Sequence, residues 1–260
     1  MAWRSSGVSN AALINNLASN GLIKSDRVKN AMLGVDRAHY APASAYEDSP
    51  QTIGFSATIS APHMHAGVRA APSGPLSVQS SLCKSTRTKL ETNILNPTLQ
   101  QSQACESLLP HLHPNARVLD IGSGSGYLTH VLVNLLGPGG IVVGVDHIQG
   151  LVDMANRNMA KSEEGRKALN EGRAKFIKAD GRLGYPAEGP YDAIHVGAAA
   201  QSLHQSLVDQ LKAPGRMFIP VESDTMYQHI WVVDKNADGA VEKTKLYGVS
   251  YVPLTDAPTK

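Results

Sequence analysis

Arg117-Val118-Leu119-Asp120-Ile121-Gly122-Ser123-Gly124-Ser125-Gly126-Tyr127-Leu128 is the stretch on which the fold of this chain turns. Its first half reads as a short strand, Val118 to Ile121, and Leu128, Val131, Leu132, Leu135 and Leu136 then recur at the spacing of a helix face. Three glycines fill the turn between them. Glycine lets a backbone bend sharply and approach a ligand without side-chain interference. A turn that needed only one glycine would be weakened by three, so the loop reads as a cradle. The dinucleotide fingerprint GxGxxG would place its last glycine at position 127, where Tyr127 stands. The spacing here is GxGxG, with Asp120 two residues ahead of Gly122.

Downstream, strands and helices alternate. Ile141-Val142-Val143-Gly144-Val145 is a nearly all-apolar run that suits a parallel strand covered on both faces. Asp146 closes it, 22 residues beyond Gly124. In a Rossmann-like sheet an acid there points into the crevice and accepts hydrogen bonds from both ribose hydroxyls. A helix through Leu151, Val152, Met154 and Ala155 follows, then a strand from Ala174 to Ala179. Asp180-Gly181 stands where an acid can meet an adenine amino group. Further strands are expected at Tyr191 to Val196, Met217 to Ile219, Ile230 to Val233 and Lys243 to Val252, with a helix from Leu203 to Leu211. The last two strands flank a turn at Asn236-Ala237-Asp238-Gly239 and read as an antiparallel hairpin. The pattern predicts an α/β class, a Rossmann-like doubly wound sheet with an antiparallel edge.

Upstream, Ser9 or Asn10 caps a helix with apolar face Leu13, Ile14 and Leu17, which Gly21 stops. Ser25-Asp26 caps a second through Val28, Met32 and Leu33. No strand signal follows until Thr58-Ile59-Ser60. Residues 67–102 are rich in Ser, Thr, Pro and Gln and have neither helical nor strand periodicity, which predicts disorder. The formal charge of the chain is +2, yet this segment alone carries +3 and the remainder −1, so charge gives no argument for nucleic-acid binding. Two cysteines, Cys83 and Cys105, form neither a disulfide framework nor a CxxC metal pattern. No apolar run is long enough for a membrane span, and the N-terminus lacks the apolar core of a secretory signal. The expectation is a cytoplasmic enzyme, a monomer, without nucleic-acid or membrane partners.

The most specific feature is Ile53-Gly54-Phe55-Ser56-Ala57-Thr58-Ile59-Ser60-Ala61-Pro62-His63-Met64-His65, which resembles the protein-L-isoaspartate O-methyltransferase family. So do Val145-Asp146-His147-Ile148, Ala179-Asp180-Gly181-Arg182, the run from Tyr191 to Ala200, and Tyr251-Val252-Pro253-Leu254-Thr255. The GxGxG loop with its leading acid is similar to the S-adenosyl-L-methionine loop shared by most methyltransferases. The resemblance implies that S-adenosyl-L-methionine is the cofactor and that the substrates are isoaspartyl-containing peptides and proteins. A methyl group passes to the free α-carboxylate of the L-isoaspartyl residue. The ester then collapses to a succinimide that can reopen to normal aspartate. It further implies Ser60 as the active-site hydroxyl and Thr58, Ile59, Val252 and Pro253 as the walls of the peptide groove. Against the cofactor it places Ile53, Ser56, His65, Asp120, Gly122, Ser123, Gly124, Asp146, His147, Asp180, Gly181 and Thr255.

Residues 1–66 are then a helical cap with the catalytic loop, 67–102 an insertion, and 103–260 the cofactor-binding core of the same domain. In the family the run ending at His65-Ala66 continues directly into the helix that Ala104-Cys105-Glu106-Ser107-Leu108-Leu109 matches here. The insert reads either as translated non-coding sequence or as a lineage-specific loop. Closing a flexible loop of that length costs only about 3 kcal/mol, so the fold should survive it. The chain also stops five residues after Thr255, where animal members run on to a further cofactor contact. A binding protein silenced by the insert and a small-molecule methyltransferase of the same fold are the competing readings. His63-x-His65 and His111-x-His113 have ligand spacing but no accompanying cysteine or carboxylate cluster, so no metal is expected.

Overall fold

A computed structural model of the chain describes residues 5–66, 104–222 and 227–254. The expected irregular stretch 67–102, Thr255 and the side chain of His65 lie outside what it describes. The chain opens with α1 (Asn10–Ser19) and α2 (Asp26–Leu33), capped by the hydroxyls of Ser9 and Ser25. Both bury the faces that periodicity marks, Leu13, Ile14 and Leu17 on α1 and Val28 and Met32 on α2. A two-stranded antiparallel hairpin, β1 (Gln51–Gly54) and β2 (Ala57–Ile59), leads into α3 (Pro62–Ala66). β1 escapes the sequence reading because Gln51 and Thr52 carry no apolar alternation. Across the undescribed stretch, α3 lies in contact with α4 (Ala104–Leu108).

The core then alternates as expected: β3 (Arg117–Ile121), α5 (Tyr127–Leu136), β4 (Ile141–Asp146), α6 (Gln149–Met159), α7 (Glu163–Asn170), β5 (Ala174–Lys178), β6 (Tyr191–Val196), α8 (Gln205–Asp209), β7 (Leu211–Glu222), β8 (Gln228–Lys235) and β9 (Val241–Val249). The sheet order is β5-β4-β3-β6-β7-β8-β9, parallel from β5 to β7 and antiparallel beyond. Side chains split between the faces with period two, as a pleated strand requires. Val118, Val142, Ala193 and Phe218 join the core under α1, α2, α4 and α5. Leu119, Val143, Ile194 and Met217 join the core that receives Leu207 and Val208 of α8. Chain order reverses at β3, flanked by β4 and β6, and ligands of such sheets bind outside the strand ends at that point.

Besides β1, other elements depart from expectation, and the strand expected from Lys243 to Val252 ends at Val249. α7 has no apolar stripe, since only Gly165 and Ala168 are buried, and it forms on its Ser162 cap with Glu163 and Glu164 in the first turn. The helix expected from Leu203 to Leu211 shortens to α8, because Leu211 already pairs with Tyr191 of β6. β7 runs far beyond Met217 to Ile219 because its whole length from Gly215 to Glu222 pairs with β8, a long-range partner that local pattern does not reveal.

Gly126 caps α5 at φ +85°, and a Cβ there would stand 3.0 Å from both Ala155 and Phe176. Left-handed backbone costs a non-glycine residue roughly 1–2 kcal/mol. Gly126→Ala should therefore cost about 2 kcal/mol once the crowding is added. Denaturant unfolding checks this, and an unchanged midpoint would contradict it.

Candidate active site

The C-terminal ends of β3, β4 and β6 open into two adjoining cavities. The larger, about 390 Å3, is lined by the hairpin tip Phe55 to Thr58, by Gly122 and Gly124, and by Asp146 to Ile148. Gly181, Ala198 and Val252 to Leu254 complete its wall. The smaller, about 40 Å3, is reached past Thr58, Gly122, Gly124 and Gly197, which line both, and is walled by Ile59, Ser60, Asp120, Ser123 and His195.

The glycine loop is shaped by its backbone. Gly122 and Gly124 have φ of +74° and +50°, and Gly122 and Ser123 donate their N–H groups to Val145 O at 2.8 and 3.1 Å. An added Cβ would find nothing nearer than 3.6 Å at Gly122 and 3.5 Å at Gly124. At both positions it would enter the cleft rather than the core. Opposite, Asp146 is 6% exposed and accepts from the N–H of Gly124 at 3.1 Å and of Ile148 at 3.2 Å. Burial holds its carboxyl above the ordinary carboxylate range, and the two backbone donors offset part of that rise. An acid kept against its desolvation cost at the end of a central strand suits a ligand that brings further donors.

The hairpin forms the outer wall. Its tip, Gly54-Phe55-Ser56, has positive φ throughout, at +89°, +53° and +57°. For Phe55 and Ser56 this is an unfavoured backbone that the surroundings must hold. The Phe55 ring lies over Gly150, where an added Cβ would come within 2.3 Å of it, so Gly150 leaves room for the aromatic cover. The opposite wall is strapped on by backbone bonds, Ala199 N to Val252 O at 2.8 Å and Leu254 N to Ala199 O at 2.7 Å.

Ser60 follows β2 and faces the smaller pocket. Its carbonyl accepts from Arg37 Nη2 at 3.0 Å. Arg37 is fully buried, its guanidinium 5.4 Å from the Tyr127 ring centroid, and burial lowers its pKa to about 10. On the other side of Ser60, Asp48 Oδ1 accepts the backbone N–H of His63 at 2.9 Å and pairs with its Nδ1 at 2.8 Å. Ser60 is thus held between two anchored segments. The Nδ1 of the His63 ring is thereby engaged by Asp48.

Of the residues expected to meet a cofactor, Ser56, Gly122, Gly124, Asp146, His147 and Gly181 line the larger cavity. Ile53 lies just behind, its Cδ1 3.5 Å from where a Gly124 Cβ would stand. Asp120 and Ser123 wall the smaller pocket instead. Asp180 is outside both linings, its carboxylate gripped by Arg182 through Nε at 2.9 Å and Nη2 at 2.7 Å, which lowers its pKa. Thr58, Val252 and Pro253 line the larger cavity, and Thr58, Ile59 and Ser60 the smaller. Sequence reasoning missed Phe55, Ile148 and Leu254, apolar residues inside or beside the quoted runs that carry no polar signature. It also missed His195, read only as part of a strand.

The sequence model of the family protein-L-isoaspartate(D-aspartate) O-methyltransferase (PCMT) matches residues 8–70 and 86–259. A Caenorhabditis elegans protein-L-isoaspartate O-methyltransferase is 40% identical over 255 residues, covering 98% of this chain and 96% of that one. Arabidopsis thaliana protein-L-isoaspartate O-methyltransferase 1 is 40% identical over 257 residues, covering 97% and 94%. A solved Plasmodium falciparum protein assigned as a β-aspartate methyltransferase, in complex with S-adenosyl-L-homocysteine, superposes with TM-score 0.75 at 29% identity, covering 96% of this chain and 99% of that chain.

Proposed function

The chain belongs to the protein-L-isoaspartate(D-aspartate) O-methyltransferase family, and from that premise we infer where its residues hold cofactor and substrate. Its activity is S-adenosylmethionine-dependent methylation of isoaspartyl residues in damaged proteins, which initiates their repair. The observation that carries the residue assignment is the meeting of the two cavities at Thr58, Gly122, Gly124 and Gly197, between Asp146 on one side and Ser60 on the other.

The larger cavity fits the cofactor. Gly122 and Gly124 leave space for its methionine portion, Asp146 accepts its ribose hydroxyls, and Phe55, Ile148 and Leu151 offer apolar cover. Ile53, Ser56, His147 and Gly181 complete that side, and His65 and Thr255 belong to the same assignment. When bound, S-adenosylmethionine supplies an electrophilic methyl group on a sulfonium. The chain does not need a base for the rest. The substrate carboxylate is ionised near neutral pH and is already a nucleophile. What the protein provides is alignment, which can lower the barrier by about 7–11 kcal/mol. Ser60 donates its hydroxyl proton to one carboxylate oxygen and fixes its direction. Thr58, Ile59, Val252 and Pro253 hold the peptide on either side.

Methyl transfer to matched isoaspartyl and aspartyl peptides tests this. Base-labile esters on the isoaspartyl peptide alone are expected, and esters on neither peptide would refute the assignment. Ser60→Ala removes one hydrogen bond to a charged group and should lower kcat/KM roughly 10–100-fold. Affinity for S-adenosylhomocysteine should stay unchanged.

Among the described residues no helix is long and apolar enough to cross a membrane. A monomer is the inferred state, supported by edge strand β9, whose exposed Glu242, Lys243 and Lys245 discourage pairing with another sheet. A cytoplasmic location is inferred with it, supported by the buried free thiol of Cys105.

A further inference from the structure

The smaller pocket contains an ordered pair that the assignment above leaves idle. His195, at the end of β6, is 5% exposed and forms part of the pocket wall beside Ser60. Its Nδ1 lies 2.8 Å from Asp120 Oδ1, and the other Asp120 oxygen accepts the Thr129 hydroxyl at 2.6 Å. The imidazole also stacks on Phe218, centroids 6.1 Å apart and planes 16° from parallel. One carboxylate and one ring therefore fix its orientation. An ionised carboxylate only accepts, so Nδ1 carries the proton and Nε2 is the nitrogen left for another partner. Asp120 itself is 1% exposed, so the carboxylate that orients the ring is shut off from solvent.

At about 40 Å3 the smaller pocket has room for a carboxylate-sized group.

We propose that His195, backed by Asp120, forms with Ser60 the subsite that grips the reacting isoaspartyl carboxylate. The proposal rests on the methyltransferase assignment and adds to it the source of selectivity for a free acid. In its doubly protonated form the ring donates Nε2–H to one carboxylate oxygen while Ser60 donates to the other. An amide in the same place keeps one acceptor oxygen but sets its NH2 group against the second donor, and so loses one of the two bonds. His195 thus contacts substrate, whereas Asp120 is a positioning residue that sets the tautomer and balances the charge.

Calorimetric binding of an isoaspartyl peptide and its isoasparaginyl twin to the full chain, with S-adenosylhomocysteine present, tests the proposal. The unaltered chain should prefer the acid. His195→Gln should weaken the acid roughly tenfold or more, as loss of a bond to a charged group does, and leave the amide twin within about twofold. Asp120→Asn still accepts from His195 and can donate to the Thr129 oxygen, so it keeps the packing while removing the charge. It should narrow the acid–amide gap as well, which a merely structural role would not do. If His195→Gln loses S-adenosylhomocysteine binding through misfolding, Asp120→Asn decides alone. Full preference for the acid retained in the folded variants overturns the proposal. An unaltered chain that binds S-adenosylhomocysteine but neither peptide overturns the methyltransferase assignment beneath it, a result distinguishable from the first.

Discussion

Asp146→Ala should weaken S-adenosylhomocysteine binding by a hundredfold or more while leaving the chain folded. Two ribose hydroxyls donating to a buried carboxylate contribute about 1.5–3 kcal/mol each, and truncation removes both. The fold should tolerate the change because the backbone N–H groups that lose an acceptor, those of Gly124, His147 and Ile148, all border an open cleft. Asp146→Asn keeps one acceptor and should fall between the two. The same residue gives a pH signature. Burial raises its pKa, so as pH falls it protonates before an exposed aspartate would, and cofactor affinity is lost through that range. The folded state binds this proton more readily than the unfolded chain, so the contribution of Asp146 to stability rises over the same interval. Ligand titration and melting measured together should move in opposite directions there. Affinity within about threefold of the parent in Asp146→Ala would remove ribose binding from this residue.

The second large effect is on stability. Asp120→Ala would strand two buried donors, His195 Nδ1–H and the Thr129 hydroxyl, both now satisfied by one carboxylate. Each unsatisfied buried group costs about 1–3 kcal/mol, so a loss of about 2–6 kcal/mol is expected. In a chain of this size each kcal/mol lowers Tm by roughly 2–4 °C. Asp120→Asn should recover most of the loss, since its amide can present oxygen to His195 and nitrogen to Thr129. Equal melting of the parent and Asp120→Ala would mean that water or rearranged side chains satisfy those donors. Equal melting of the two variants would mean that charge, rather than hydrogen bonding, stabilises the pair.

The sequence carried the order of elements and the cofactor loop because both rest on local physics. Periodicity marks a buried face, a serine caps a helix through its own backbone neighbours, and a glycine declares positive φ within its own residue. Thus α1, α2, β3, α5 and the GxGxG turn lie where their patterns place them, and Asp146 ends a central strand facing the crevice. The Ser60 run was legible for another reason, a distinctive string of residues shared with a family. Tertiary structure alone decided what depends on partners far along the chain. β7 extends because β8 pairs with it, and Asp180 turns from the cleft because Arg182 holds its carboxylate. Asp120 becomes the support of His195, 75 residues away, because β3 and β6 lie side by side with both side chains on one face. Side-chain direction along a strand can be read from alternation, but which strand lies beside it is set only when the sheet assembles.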